Sequence, residues 1–150
     1  MTEYEDIDAV PVAGTPENNF RQPANGTVIV AVIVYALHSL TILAGALSAG
    51  AAIVLGFVFS APAILAVILN YIFRSDAAGT FLASHFRWQI RTFWFAAGWL
   101  LLISVAGALL AFFGIGFVLL WVGIPILGIW VSYRIIFGWV RLFRNQPMPD

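Results

Sequence analysis

Few polar side chains could do chemistry inside the apolar part of this 150-residue sequence. Tyr35, His38 and Thr41 follow one another at three-residue steps, so on a helix they share one side. His38 would lie about 16 Å along that helix from Thr27, near the middle of a bilayer, where a titratable group is a candidate functional site. The structural alternative is a neutral histidine bonded to Ser60 or to a carbonyl of the next helix. The intramembrane polar candidates are Tyr35, His38, Thr41 and Asn70.

A second group of polar side chains lies between residues 80 and 94, where helical spacing separates an apolar stripe from two polar ones. Arg87 and Arg91 stack one turn apart, and His85, Gln89 and Thr92 form the other polar stripe. The plain interpretation is a helix anchored at the membrane interface; the alternative is recognition of a partner or a lipid headgroup. The candidate partner- or lipid-binding residues are His85, Arg87, Trp88, Gln89, Arg91, Arg134 and Arg141.

Most catalytic and cofactor chemistry lacks the residues that it needs. The absence of cysteine excludes disulfides, thiol nucleophiles and iron-sulfur clusters. His38 is expected at the centre of the membrane and His85 at its boundary, so one chain could not supply both axial ligands of a haem. Ser48 would lie roughly 15 Å from His38, too far for a serine nucleophile and its base. We expect no metal, no cofactor and no enzymatic activity.

Composition assigns the chain to a membrane. Hydrophobic residues make up 62% of it, charged residues only 9%, and the mean hydropathy is +0.97. A chain so poor in charge cannot give a globule a wettable surface. Seven arginines balance seven acids, so the broad basic field of a nucleic-acid-binding protein is missing. The expected partners are the lipid bilayer and either another membrane protein or a second copy of the chain.

Two stretches without an ionised side chain, residues 27–73 and 92–133, predict the architecture. Each is roughly twice the length of one membrane-spanning helix, so each must fold back. Glycine and small residues place the reversals at 48–50 and 113–116. The sequence therefore predicts an all-α membrane four-helix bundle, made of two helical hairpins with an amphipathic segment between them. The predicted spans are 27–47, 51–73, 92–112 and 117–133.

The arginines predict the orientation. All seven lie before the first span, between the second and third, or after the fourth, and four spans put those three regions on one side. The positive-inside rule then makes both termini cytoplasmic. Residues 1–26, rich in acids and proline, predict a disordered acidic tail. The alternative is a tail that docks on a basic partner or on the protein's own arginine-rich face. Residues 27–144 form the membrane domain and 145–150 a C-terminal tail.

Small residues and prolines predict how the helices pack. Residues 52, 56 and 60 recur every four positions in span two, as Gly107 and Ala111 do in span three, and such ridges let helix backbones approach. Pro62 in span two and Pro125 in span four are expected to bend or locally open their helices. Thr80 is the expected N-cap of the amphipathic segment.

A set of polar and aromatic residues after the second span forms a recognisable pattern: Tyr71, Arg74-Ser75-Asp76, Gly79-Thr80, the string Ser84 to Trp94, Tyr133-Arg134 and the tail from Arg141 to Met148. With this pattern the chain, from the first span to the C-terminus, resembles small proteobacterial four-span inner-membrane proteins of undefined role. That family is loosely similar to the Tic-type subunit of the chloroplast import machinery and to the magnetosome protein MamF. The resemblance implies a bacterial inner-membrane protein and brings no catalytic residue with it.

Together these patterns predict a non-enzymatic accessory or scaffold protein, because the polar residues gather on one face while the apolar spans hold no acidic side chain. A small transporter or channel subunit is the alternative, resting on His38. A protein-translocation component is a weaker alternative, implied only by the resemblance to the import subunit.

Overall fold

The computed structural model describes residues 20–47 and 57–149. Within these ranges every regular element is a helix, which confirms the all-α prediction. The acidic residues 3–17 and the predicted reversal at 48–50 lie outside the described residues. The elements are α1 (Asn25–Leu47), α2 (Ala61–Phe73), α3 (Leu82–Leu110), a 3₁₀ turn (Ala111–Phe113) and α4 (Ile115–Phe143).

Three of the described helices are long and apolar enough to cross a membrane: Asn25–Gly45, Leu82–Phe113 and Ile115–Phe143. The chain is therefore a multi-pass membrane protein. Large apolar side chains point outward from the bundle, for example Phe112, 91% exposed, and Trp121, 81% exposed. At about 1.5 Å per residue α4 is about 43 Å long, which exceeds a hydrocarbon core of about 30 Å. Its last turns thus have length to extend beyond the core.

The chain before α2 shows why this helix begins where it does. Residues 57–59 are helical, and Ser60 then adopts an extended conformation. The Ser60 hydroxyl accepts a hydrogen bond from the backbone N–H of Ala63 at 3.3 Å. Pro62 occupies the first turn of α2, where a backbone N–H has no acceptor within the helix, so the missing N–H of proline costs no hydrogen bond. The predicted interruption at Pro62 is confirmed, and Ser60 acts as a helix cap.

The turn between α3 and α4 depends on three glycines. Gly114 has a φ of 76°, a left-handed conformation that residues with a side chain rarely adopt. A Cβ on Gly107 would come within 2.6 Å of the Leu120 side chain, and one on Gly116 would overlap the backbone of α3. The predicted close packing at Gly107 is confirmed, because only glycine lets the two helices come this near.

Pro125 lies inside α4, which is helical from Ile115 to Phe143. The bend or local opening expected at this residue stays a prediction. The helix continues ten residues beyond the predicted end of the span at Tyr133. These last turns of α4 lie beside the start of α3, where the candidate site is located.

The helices pack in two extensive contacts, α1 against α2 and α3 against α4, with smaller contacts between α1 and the latter two. Tyr35 of α1 is fully buried at their meeting point. Its ring lies where a Cβ on Gly138 of α4 would be, so the glycine makes room for the tyrosine. The core around it joins side chains of all four helices, among them Ala31, Val67, Phe93 and Val131.

Candidate functional site

The arginine-bearing end of the bundle begins at the turn between α2 and α3. Residues 74–79 form the turn, and Gly79 has a φ of 74°. The hydroxyl of Thr80 donates to the carbonyl of Ala77 at 2.7 Å and accepts from the N–H of Leu82 at 3.2 Å. The structural N-cap is Phe81, one residue later than predicted, but Thr80 provides the side-chain bond that an N-cap usually makes.

The predicted stripe of His85, Gln89 and Thr92 faces the interior of the bundle, and all three side chains are completely buried. Nε2 of His85 lies 2.9 Å from the carbonyl oxygen of Gln146, so this nitrogen carries the proton that is donated. In the neutral ring Nδ1 then accepts from the Tyr35 hydroxyl at 2.9 Å. His85 therefore links α1, α3 and the C-terminal residues, and both of its nitrogens are occupied.

The C-terminal residues 145–149, predicted as a tail, fold back over the start of α3; we call them the C-terminal strap. Asn145 has a φ of 52° and reverses the chain after α4. Nη1 of Arg141 donates to the carbonyl of Pro147 at 2.6 Å, and the N–H of Met148 donates to the Ser84 hydroxyl at 2.9 Å. Arg141 is thereby committed to a contact within the protein.

Arg134 and Trp88 are also committed to each other. The guanidinium of Arg134 lies 3.4 Å from the centre of the Trp88 ring, and the indole N–H of Trp88 donates to the backbone carbonyl of Arg134 at 3.2 Å. Nε of Arg134 donates to the hydroxyl of Thr92 at 2.7 Å. A cation over an aromatic face and a charge-assisted hydrogen bond both stabilise the contact of α3 with α4.

The remaining two candidates, Arg87 and Arg91, are exposed and line a groove of about 750 Å³. We call it the arginine groove. Its other polar lining comes from Arg74 and Ser75 in the turn after α2. Three arginines from two segments of the chain therefore line one concavity, and its volume is within the range of small-molecule sites.

Aromatic side chains form the opposite part of the arginine groove. The indole N–H of Trp94 donates to the hydroxyl of Tyr71 at 2.9 Å, which joins α3 to α2 across the groove. The guanidinium of Arg74 lies 5.4 Å from the centre of the Tyr71 ring, so the tyrosine also positions this arginine. Phe95 and Ile90 complete the apolar lining.

The charge balance at this end is strongly positive. Residues 20–47 and 57–149 contain all seven arginines of the chain, and their single acidic residue is Asp76. One carboxylate cannot neutralise seven guanidinium groups. Within the part of the chain that the structure describes, Arg87 and Arg91 repel each other one turn apart, and an anion in the arginine groove would relieve that repulsion.

Three intramembrane candidates, Tyr35, His38 and Thr41, share one side of α1, as predicted, and all three are buried. The Thr41 hydroxyl donates to the backbone carbonyl of His38 at 2.7 Å. His38 lies against the ring of Phe57, with ring centres 4.8 Å apart, and neither ring nitrogen has a hydrogen-bond partner among the described residues. The bond from His38 to Ser60, one of the two alternatives considered, is not formed, and the Ser60 hydroxyl accepts from the N–H of Ala63. Asn70 is also completely buried, and its side-chain amide is unpaired within the same ranges.

Sequence reasoning missed the contribution of Tyr71, Arg74 and Trp94 to the arginine groove. The sequence did indicate that the groove continues along α3, because Phe95 follows Arg87 and Arg91 at the same four-residue spacing and so lies on the same face. The approach of the turn after α2 to this face of α3 depends on tertiary packing and has no signature in the sequence.

Comparison with protein-family models, with curated proteins and with solved structures found no match for this chain. The resemblance to four-span inner-membrane proteins stays a prediction, and the function is argued from the geometry of the site.

Proposed function

We propose that the protein is a non-enzymatic accessory or scaffold component of a bacterial inner membrane, which binds lipid or a partner protein through the arginine groove. The observation that carries this proposal is that Arg74, Arg87 and Arg91 line one groove although the described residues contain a single acid, Asp76. The other predicted binding residues at this end are buried or engaged within the protein, so among the predicted candidates that the structure describes, Arg87 and Arg91 of the arginine groove are left open to a ligand.

The proposal includes four spans with both termini in the cytoplasm. The described part of the second span, residues 57–73, ends beside the turn that carries Arg74, and this turn contacts the chain before α1: the N–H of Arg21 donates to the carbonyl of Gly79 at 2.9 Å. The arginines before α1, after α2 and after α4 thus gather at one end of the bundle. The positive-inside rule favours the cytoplasm for that end.

Reporter fusions test this topology. Reporters placed before α1, in the turn near Asp76 and after Asp150 are expected to give cytoplasmic signals, whereas one inserted in the turn at Gly114 is expected to give an external signal. An external signal near Asp76 would contradict the four-span orientation, and with it the exposure of the arginine groove to the cytoplasm.

Co-purification tests the binding role. Replacement of Arg87 and Arg91 by alanine should weaken the recovery of a crosslinked partner or of bound lipid, as measured by mass spectrometry after detergent purification. The matched control replaces Arg21 and Arg144, which are also exposed and also carry two positive charges, but do not line the groove. Equal recovery from the two double variants would overturn a binding role for the groove.

A small transporter or channel subunit is a second candidate, favoured by the unpaired polar groups inside the bundle. Within the described ranges His38, Asn70 and Gln89 have buried side chains without hydrogen-bond partners, and such groups in a membrane domain often mark a path for ions or water. This candidate predicts that His38→Ala abolishes a reconstituted ion flux while the helix content is unchanged. Undiminished flux in that variant would exclude a role for His38 in transport.

A further inference from the structure

The lining of the arginine groove changes character along α3. The α3 residues that line it, from Ala83 to Phe95, recur at steps of three and four, so they form one face about 18 Å long. Arg87 and Arg91 lie in the middle of this face, after Ala83 and Phe86, and Arg74 lines the same groove from the turn after α2. Beyond Arg91 the lining continues with Trp94 and Phe95. We call the part lined by the three arginines the cationic end and the part lined by Trp94 and Phe95 the aromatic end.

We propose that the arginine groove binds one anionic phospholipid, whose phosphate lies among Arg74, Arg87 and Arg91 and whose acyl chain lies along Trp94 and Phe95. This inference rests on the proposed function, and it commits the groove to lipid and not to a protein partner. Guanidinium groups bind phosphate through paired hydrogen bonds in a geometry that a single ammonium group cannot match. Three of them around one groove select a negatively charged headgroup over a zwitterionic one.

The aromatic end favours a lipid over a soluble phosphate compound. Trp94 and Phe95 are 57% and 52% exposed, although they line a concave surface on a helix that is long and apolar enough to cross a membrane. A soluble anion would leave these rings uncovered, whereas an acyl chain would cover them. The Trp94–Tyr71 hydrogen bond also holds the aromatic end in place before a ligand binds, and such pre-organisation favours binding.

The cationic end favours a lipid phosphate over a peptide carboxylate because it lies directly beside the aromatic end. Arg91 and Phe95 are one helical turn apart, about 6 Å along the axis. A phospholipid joins its phosphate to its acyl chains through the short glycerol unit and matches this spacing. The exposed hydroxyl of Ser75 lies at the cationic end, where a headgroup hydroxyl could bond to it.

The test uses the full-length protein in nanodiscs of phosphatidylcholine that contain a small fraction of phosphatidylglycerol, with bound lipid measured by native mass spectrometry. We expect the wild-type protein to retain phosphatidylglycerol at least tenfold above its share of the membrane. Arg87→Gln with Arg91→Gln should reduce this enrichment at least fivefold, while Arg21→Gln with Arg144→Gln should leave it within twofold. Equal losses in the two double variants would overturn the proposal, because the effect would then come from general surface charge.

A second variant separates the groove from its charge. Ala78→Trp places a large ring at an exposed turn position that lines the groove and changes no charge. It should reduce phosphatidylglycerol retention as strongly as the double glutamine variant, and its helix content, measured by circular dichroism, should be unchanged. Retention equal to wild type in this variant would overturn binding inside the groove.

Two further arms separate lipid from the other occupants. Millimolar glycerol phosphate should not displace the retained phosphatidylglycerol; displacement would assign the groove to a soluble phosphate compound and overturn the lipid assignment. If the double glutamine variant lost a co-purifying protein but kept its lipid enrichment, the proposed scaffold function would stand and the lipid site would be wrong. Loss of lipid without loss of a partner supports the lipid site.

Discussion

On α3, His85, Gln89 and Thr92 follow one another on the face turned toward α1 and α4, whereas Arg87 and Arg91 follow one another on the face turned outward. Both stripes are polar and both occupy the first turns of the same helix. The inner stripe contributes His85 and Thr92 to hydrogen bonds that join distant parts of the chain. The outer stripe leaves its charges at a groove. Polarity alone therefore does not identify a binding residue; what matters is whether its polar atoms already have partners.

The largest expected effect comes from disturbing the inner contacts at Gly138. Gly138→Leu would force a side chain onto the ring of Tyr35, the residue whose hydroxyl holds His85. Overpacking of this kind should lower the free energy of unfolding by about 3 kcal/mol. Denaturation of the detergent-solubilised protein, followed by circular dichroism, measures it.

The matched control for this variant is Gly98→Leu, also in a helix. A Cβ on Gly98 would meet nothing within 4 Å, so this variant should keep or slightly increase the stability of the protein. If both leucine variants lost the same stability, the close packing of Tyr35 against Gly138 would not be what holds the inner stripe.

A smaller effect is expected from Arg134→Gln, which removes the charged donor to Thr92 and the cation over Trp88. The variant should lose about 1 to 2 kcal/mol of stability. Arg144→Gln is the comparison, since Arg144 is exposed at the end of α4 and should have no measurable effect. Equal melting temperatures of the two variants would show that Arg134 does not stabilise the contact between α3 and α4.

The smallest effect on stability is expected from the outer stripe itself. Replacing Arg87 and Arg91 by glutamine should leave the melting temperature unchanged or raise it slightly, because two like charges one turn apart repel each other. The same variant is expected to change ligand retention strongly. A clear loss of stability would mean that the outer stripe, like the inner one, takes part in contacts that stabilise the fold.

Much of the fold could be predicted from the sequence because the pattern is local. The charge-free stretches predicted the long apolar helices, and the glycines and small residues predicted the reversal at Gly114 and the close contact at Gly107. The three stripes of α3 followed from the helical period, since residues three and four apart must share a face. The sequence also placed Arg87 and Arg91 together, on a different face from His85.

The pairing of the polar atoms could not be predicted, because it depends on contacts between distant positions. Thr92 and Arg134 are 42 residues apart in the sequence, and His85 and Gln146 are 61 apart. Nothing in the amphipathic pattern indicates that the inner stripe would be the buried one. Arg74 was likewise known only as one of several arginines, and its place at the arginine groove follows from the packing of α2 on α3.

The C-terminal strap has a practical consequence for protein engineering. A fusion or stop codon directly after Arg144 would delete the carbonyl that accepts from His85 and the amide that donates to Ser84. Nε2 of that imidazole would then lose its acceptor at the start of α3. Affinity tags and fluorescent labels therefore belong after Asp150, where they leave residues 145–149 and their anchoring to the first turn of α3 intact.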